Sequence, residues 1–392
     1  MVVSHNSIDG RSSFVILDKF LSILADIVEG KAKSVSSLVW GGEIKRLPPA
    51  GVFTTAVALA ELAEGGSLPS QLAEISSAPI APAYIPKGKK DDVYTQEDEY
   101  KQDTQSIPGP PTLVPWMFPL VRTGHKGDVS RRLTFTRDLT SKLHAVAKAH
   151  GRTITQVVTA LSVLAHSETT LKVAGGVSAS RFHEVASTFS HSTHYLVAWN
   201  FINHRNKFLG GYDVYGKEKC APLCSTNGVP LFLSMNSVRS MLTLDETHQS
   251  AGRTLDMDAF WNGLVKETAD GWRATDTSLE GYAIREAAMQ ASLDAFNPHM
   301  LDVPSIVVSS IGDLGRLNLL SRFLPSPDHT KPLVVHDVVC GIRIRTPPVM
   351  NLLYQYDGRL SCHFYTASEF NTAETLKLMT DAFEEWTAAL VQ

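Results

Sequence analysis

His5 and Asp9 stand four residues apart in the run Ser4-His5-Asn6-Ser7-Ile8-Asp9-Gly10. Histidine is the side chain whose ordinary pKa lies nearest neutrality, so it can take a proton and return it at working pH. Beside a hydroxyl-bearing substrate, its ring could draw off the proton as that oxygen attacks an activated carbonyl. Asp9 could accept the hydrogen bonds that fix the turn, and Gly10 would let the backbone bend into the next helix. On spacing alone, the commoner meaning of such a pair is a polar turn capping a helix, with an ordinary histidine in it. Context has to choose between the two.

The elements around the pair are of the kind that position a loop. Met1-Val2-Val3 reads as the end of a strand, and a helix pattern opens near Ser12 and Ser13, residue types suited to capping. Phe14, Leu17, Phe20, Leu21, Leu24, Ile27 and Val28 recur three and four apart on its apolar face, and Gly30 is placed to stop it. A second helix pattern covers residues 51–64. From about Ala78 to Trp116 prolines recur and residues 87–103 are densely charged, so this stretch reads as a linker or surface loop with little to pack.

Order returns at Ser130. Residues 131–136 alternate like a strand, Asp138 or Thr140 could cap the helix after it, and Gly151 stops that helix. Thr153 or Thr155 caps the next, residues 156–165. Residues 195–202 read as a strand, and residues 254–296 as helical. Residues 304–310 form a buried strand pattern closed by Gly312. Residues 350–356 and 359–365 are strands joined by Asp357-Gly358, a strong hairpin signal, and a last helix covers residues 372–390. The interleaving of strands and helices predicts a mixed α/β (α+β) fold.

The 392 residues, 43% apolar and 19% charged, are enough for two or three lobes with cores of their own. A net charge of −4 gives no basic field for nucleic acid or an anionic membrane, and no apolar run reaches the length of a spanning helix. Four cysteines are too few for a disulfide framework. The expectation is a soluble cytoplasmic protein with no nucleic-acid partner, no membrane and no metal.

Other motifs are weaker. Residues 211–217 have the spacing of a phosphate-binding loop up to Lys217, but Glu218 stands where the metal-binding hydroxyl belongs. Cys220 and Cys224 have three residues between them, and no second pair comes after them. His191 and His194 lack the glutamate arrangement of a metalloprotease helix. Residues 176–180 miss the nucleophile-elbow pattern, because the last position is Ser180.

His5-x-x-x-Asp9-Gly10 between an apolar strand end and an amphipathic helix resembles the signature of a large acyltransferase superfamily. It contains chloramphenicol acetyltransferase, the plant BAHD acyltransferases and the condensation domains of nonribosomal peptide synthesis. Phe201-Ile202-Asn203-His204-Arg205 looks like that family's strand ending in Asn-x-Arg, and Val307 to Gly312 like its buried strand with a Ser-x-Gly-type turn. Within the superfamily the chain most resembles fungal acetyltransferases of secondary metabolism, of the trichothecene 15-O-acetyltransferase type.

The resemblance implies a two-lobed fold with a tunnel between lobes, acyl-CoA (acetyl-CoA or another) as co-substrate, and a small hydroxylated acceptor such as a terpenoid. It makes His5 the general base and Asp9 and Gly10 structural, with Arg205 as the partner of Asp9; Ser309, Ser310 and Gly312 are tunnel or substrate candidates. No metal is needed. It divides the chain into residues 1–77 carrying the motif, a linker at 78–127, and a C-terminal lobe at 128–392. Family members carry well over a hundred residues ahead of the motif, so the first lobe is expected to be truncated. Two further readings stay open: a condensation-type enzyme drawing its acyl group from a carrier protein, and a non-catalytic shortened paralogue.

Overall fold

The computed structural model describes residues 10–31, 34, 114–118, 120, 122–203, 226–276, 281, 305–326 and 330–392. Helix α1 (Gly10–Val28) comes first. Strand β1 (Asp128–Thr134) leads into helices α2 (Arg137–Ala149), α3 (Ile154–Val177) and α4 (Ala179–His191). Strands β2 (His194–Asn203) and β3 (Thr226–Ser234) precede a short helix, α5 (Met235–Met241), and a ribbon of β4 (Leu242–Asp245) with β5 (Ser250–Arg253). A π-helical turn (Ala259–Val265) runs into α6 (Lys266–Ala274). Strands β6 (Ile306–Asp313), β7 (Val349–Tyr356) and β8 (Arg359–Ala367) come next, and helix α7 (Ala373–Leu390) is last.

Six strands make one sheet in the order β1-β8-β7-β6-β2-β3. The central trio β2, β6 and β7 is parallel, and the flanking pairs are antiparallel. Strands β7 and β8 are buried almost throughout, as expected of strands covered on both faces. Their hairpin turns through Asp357 (φ 52°) and Gly358 (φ 72°), two left-handed residues matching the twist of the strands.

One face of the sheet is closed by α3, α7 and α2. Every residue of α3 from Val157 to Thr169 is buried, so this helix is an axle of the core, not a surface helix. The other face is covered by α1 and by residues 314–326 and 330–344, with Phe14, Ile311, Leu320, Phe323, Val338 and Tyr354 at its centre. Here residues 333–345 form an extended strap that joins no strand ladder among the described residues.

Several local expectations shift. Helix α1 begins at Gly10, so Ser12 lies buried in its first turn; Phe14 and Val15 face inward while Phe20, Ile27 and Val28 face out, 58%, 57% and 62% exposed. The cap of α2 is Thr136, whose Oγ1 accepts from Leu139 N–H at 3.2 Å; β1 has already ended at Thr134, leaving Thr136 free to take the extended cap conformation. Thr140 instead accepts from Leu360 N–H at 3.0 Å. Thr153 caps α3 in a reciprocal box with Gln156, and the helix runs past Ala165 to Val177 because Leu171 and Ala174 continue its buried face. Residues 176–180 are the α3–α4 junction, where Ser178 Oγ accepts from Arg181 N–H.

At the end of the proline-rich stretch, Trp116 is buried at 2% and its indole N–H donates to Thr188 Oγ1 at 3.1 Å. These few residues have α4 and β2 to pack on, which composition could not reveal. The part of the 254–296 pattern that is described is helical up to Ala274, while residues 277–280, 282–296 and 51–64 lie outside the described residues.

Candidate active site

Strand β6 carries a bulge. Ser310 pairs with Leu353 and Gly312 with Tyr354, so Ile311 is an extra residue in the ladder. Gly312 holds φ at +100°, a conformation that a side chain would strain. The bulge turns the Ile311 carbonyl out of the sheet, where Arg11 Nη2 donates to it at 3.1 Å. The Ile311 side chain drops onto the first residue of α1: a Cβ on Gly10 would lie 2.7 Å from Ile311 Cδ1. Glycine is thus what lets helix and strand approach so closely.

From the opposite face the start of α3 reaches the same strand, where Thr155 Oγ1 donates to Ser310 Oγ at 3.0 Å. The bulge therefore lies between the N-termini of two helices, each of which favours negative charge nearby. It also lies at the carboxyl end of the parallel trio, where open α/β sheets place their ligands. Ser309 pairs with Leu352, which belongs to the α1-side core, so its half-buried hydroxyl is on the side of α1.

Past the bulge, Asp313 Oδ1 accepts from the N–H groups of Gly315 and Arg316, and its Oδ2 accepts from Gln355 Nε2 at 3.3 Å. Gln355 Oε1 in turn lies 2.7 Å from His144 Nε2 on α2. Helix α1 is held against the turn after β6 by Asp18, which accepts from Leu320 N–H at 2.7 Å, and by Arg322 bridging to Asp26 at 2.8 Å.

The structure thus brings Gly10, Ser309, Ser310 and Gly312 to one place. His5, Asp9 and Arg205 lie outside the described residues, as do residues 211–217, Cys220 and Cys224. Sequence reasoning passes over Arg11, Thr155 and Ile311. Thr155 is legible only as a helix cap, and Arg11 stands directly after the motif without matching any part of it. His191 and His194 flank the α4–β2 junction, His191 Nδ1 beside Ser187 O and His194 Nδ1 beside Thr193 Oγ1. Among the described residues no group of three His, Cys, Asp or Glu side chains could hold a metal ion. No described helix is long and apolar enough to cross a membrane.

No protein-family model and no curated protein sequence matches this chain. Solved structures do match it. A trichothecene 15-O-acetyltransferase from Fusarium sporotrichioides superposes with a TM-score of 0.50 at 11% identity, covering 69% of this chain and 48% of that one. The epimerization domain from the third module of tyrocidine synthetase B superposes with a TM-score of 0.50 at 13% identity, covering 99% of this chain and 68% of that one. The chain spans about half the length of the acetyltransferase it resembles. At such identities the likeness is one of fold. An interleaved α/β chain, built on one mixed sheet and shared with an acetyltransferase and a peptide-synthetase domain, has the chloramphenicol-acetyltransferase-like fold.

Proposed function

We propose that this protein is an acyltransferase that moves an acyl group from acyl-CoA to a hydroxyl of a small secondary metabolite, with His5 as general base. The observation that supports it best is the seating of Gly10, the last residue of the His5-to-Gly10 motif, against the Ile311 bulge beside Ser309 and Ser310. In this reading the imidazole takes the proton of the acceptor hydroxyl as its oxygen bonds to the thioester carbon. The carbonyl becomes an oxyanion, favoured by the two helix N-termini and the Ser309 hydroxyl. Collapse breaks the carbon–sulfur bond, and the thiolate receives the proton back from His5. Asp9 and Gly10 keep the motif's shape, with Arg205 the partner of Asp9.

A second reading replaces free acyl-CoA by a thioester on a carrier protein; it is favoured by the match to a peptide-synthetase domain along 99% of this chain. One experiment separates the readings. Thiol release from acetyl-CoA, with a panel of hydroxylated terpenoids as acceptors, is expected from the wild type and not from His5→Ala, whose circular dichroism should be unchanged. Release that survives His5→Ala would sink the assignment of the base. Release seen only from acyl-pantetheine on a carrier protein would select the second reading.

A further inference from the structure

Residues 337–345 have the side-chain order of a strand without the neighbours of one. Burial alternates without a break: Val338, Cys340, Ile342 and Ile344 face the sheet, while Val339, Gly341, Arg343 and Arg345 are exposed. Yet these residues belong to no ladder. Among the described residues, the nearest backbone pairing is Val335 N–H to Phe323 C=O at 2.8 Å. The strap is held instead by side chains reaching up from the sheet. Tyr354 and Arg132 donate to Val338 O, Tyr356 donates to Val335 O, and Arg359 donates to His336 O. An extended segment held this way presents backbone donors and acceptors along an edge, a template for another strand.

We propose that the strap pairs antiparallel with the same strap of a second copy of this chain, about a two-fold axis at Gly341. The sequence Asp337-Val338-Val339-Cys340-Gly341-Ile342-Arg343-Ile344-Arg345 is complementary to itself in that register. Asp337 falls opposite Arg345, Val338 opposite Ile344, Cys340 opposite Ile342 and Gly341 opposite itself. Both charge pairs are attractive, and the sheet-facing row is apolar throughout. A one-residue slip would lose both matches. Around Gly341 the space is open, since a Cβ there would meet nothing within 4 Å. Asp337 is 48% exposed while bonded to Arg132, and Arg345 makes no ion pair among the described residues. Pairing of this kind is isologous, each strap giving and receiving the same contacts.

Light scattering across a dilution series of the full chain is the test. The wild type is expected at twice the monomer mass when concentrated. Arg345→Glu, which sets like charges opposite each other twice, is expected to weaken the dimer about tenfold. Asp337→Lys is expected to do the same, and mixing the two variants to restore a heterodimer, because both cross-strand pairs become attractive again. Melting curves show whether Asp337→Lys stays folded; Arg345→Glu decides the matter without it. A wild type that stays monomeric throughout overturns the proposal, and so does a dimer that Arg345→Glu leaves unchanged. A dimer dispersed by Phe20→Glu but not by Arg345→Glu would put the contact on the outer face of α1, and also overturns it.

Discussion

On one face of the sheet, the middle of α3 (Val157–Thr169) is buried on every side and packs on α7; on the other, α1 shows apolar residues to the outside and a strap lies unpaired across the strands. The first face is closed by volume. Its most buried charge is held in a network: Glu168, 1% exposed, accepts from Arg253 twice at 2.8 Å, from Trp386 Nε1 at 2.8 Å, and from Lys172. The second face is closed by hydrogen bonds from long side chains to the strap's carbonyls, over a thinner apolar layer. The difference separates a densely packed framework from a cover fastened mainly by single hydrogen bonds. It also locates the bulge, because β6 is the strand on which helices from both faces begin.

If the first face is the framework, damage there should be felt throughout the molecule. Burial pushes the Glu168 carboxyl up, but hydrogen bonds from Arg253 and Lys172 outweigh it and hold the group below the usual carboxylate range. Glu168→Ala strips the buried Trp386 indole N–H of its acceptor and leaves the Arg253 fork with Glu385 alone, at 2.6 Å. Removing one partner of such a network costs about 3–5 kcal/mol. Urea unfolding is expected to show a loss of that size. A loss under about 0.5 kcal/mol, the range of ordinary surface changes, would end the contrast between the faces.

Each face also carries one buried histidine against a tyrosine, so acid probes both together. On the α3 face, Tyr195 OH lies 2.8 Å from His166 Nδ1; on the strap face, Tyr365 OH lies 2.5 Å from His363 Nδ1. Burial pushes both imidazoles down from 6.5 to about 4; at His363 the nearby Arg132 adds to this, and a hydrogen bond to the Cys340 backbone opposes it. Between those pH values the unfolded chain takes up protons that the folded chain refuses. Stability therefore falls as pH falls from about 6.5 and levels off below about 4, by up to about 3 kcal/mol for each histidine. Urea midpoints at pH 6.5 and 5 should show this slope in the wild type and a shallower one in His166→Gln and in His363→Gln. Equal slopes in all three would refute the burial argument. A change confined to His363→Gln would make the strap face alone the acid-sensitive one.

What the sequence shows of these faces depends on how local the cause is. The hairpin at Asp357-Gly358, the end of α2 at Gly151 and the last helix are legible because a few adjacent residues decide them. Helix α4 and strands β3 to β5 are not legible, and Trp116 reads as part of a loop, because its partners Thr188 and His194 lie more than 70 residues further on. The strap shows alternation without a ladder, a pattern that sequence cannot tell from a strand in a sheet. At the site, Gly10, Ser310 and Gly312 are legible as types of residue. That Gly10 must admit Ile311, and that Arg11 caps its carbonyl, depends on contacts 300 residues apart. His5, Asp9 and Arg205 lie outside the described residues.

The smallest expected effect falls on the strap itself, and it separates local loosening from global loss. Tyr354 is buried at 1%, and its hydroxyl donates to Val338 O at 2.5 Å. Tyr354→Phe keeps the ring against Phe14 and removes the hydroxyl's bond to the strap. Val338 O still accepts from Arg132 Nη1 at 3.0 Å, so no acceptor is stranded and the cost should stay near ~1 kcal/mol. Because the strap has no ladder to hold it, that cost should appear as local opening. Arg343 and Arg345 lie in the strap and are exposed, so trypsin reads the opening directly. In dilute protein, cleavage after these arginines is expected to rise about fivefold in Tyr354→Phe, in step with the change in opening free energy. The melting temperature should move by only a degree or two, as expected of a chain this long. Faster cleavage in step with a large fall in melting temperature would mean that the strap is part of the framework after all, and that the two faces unfold as one.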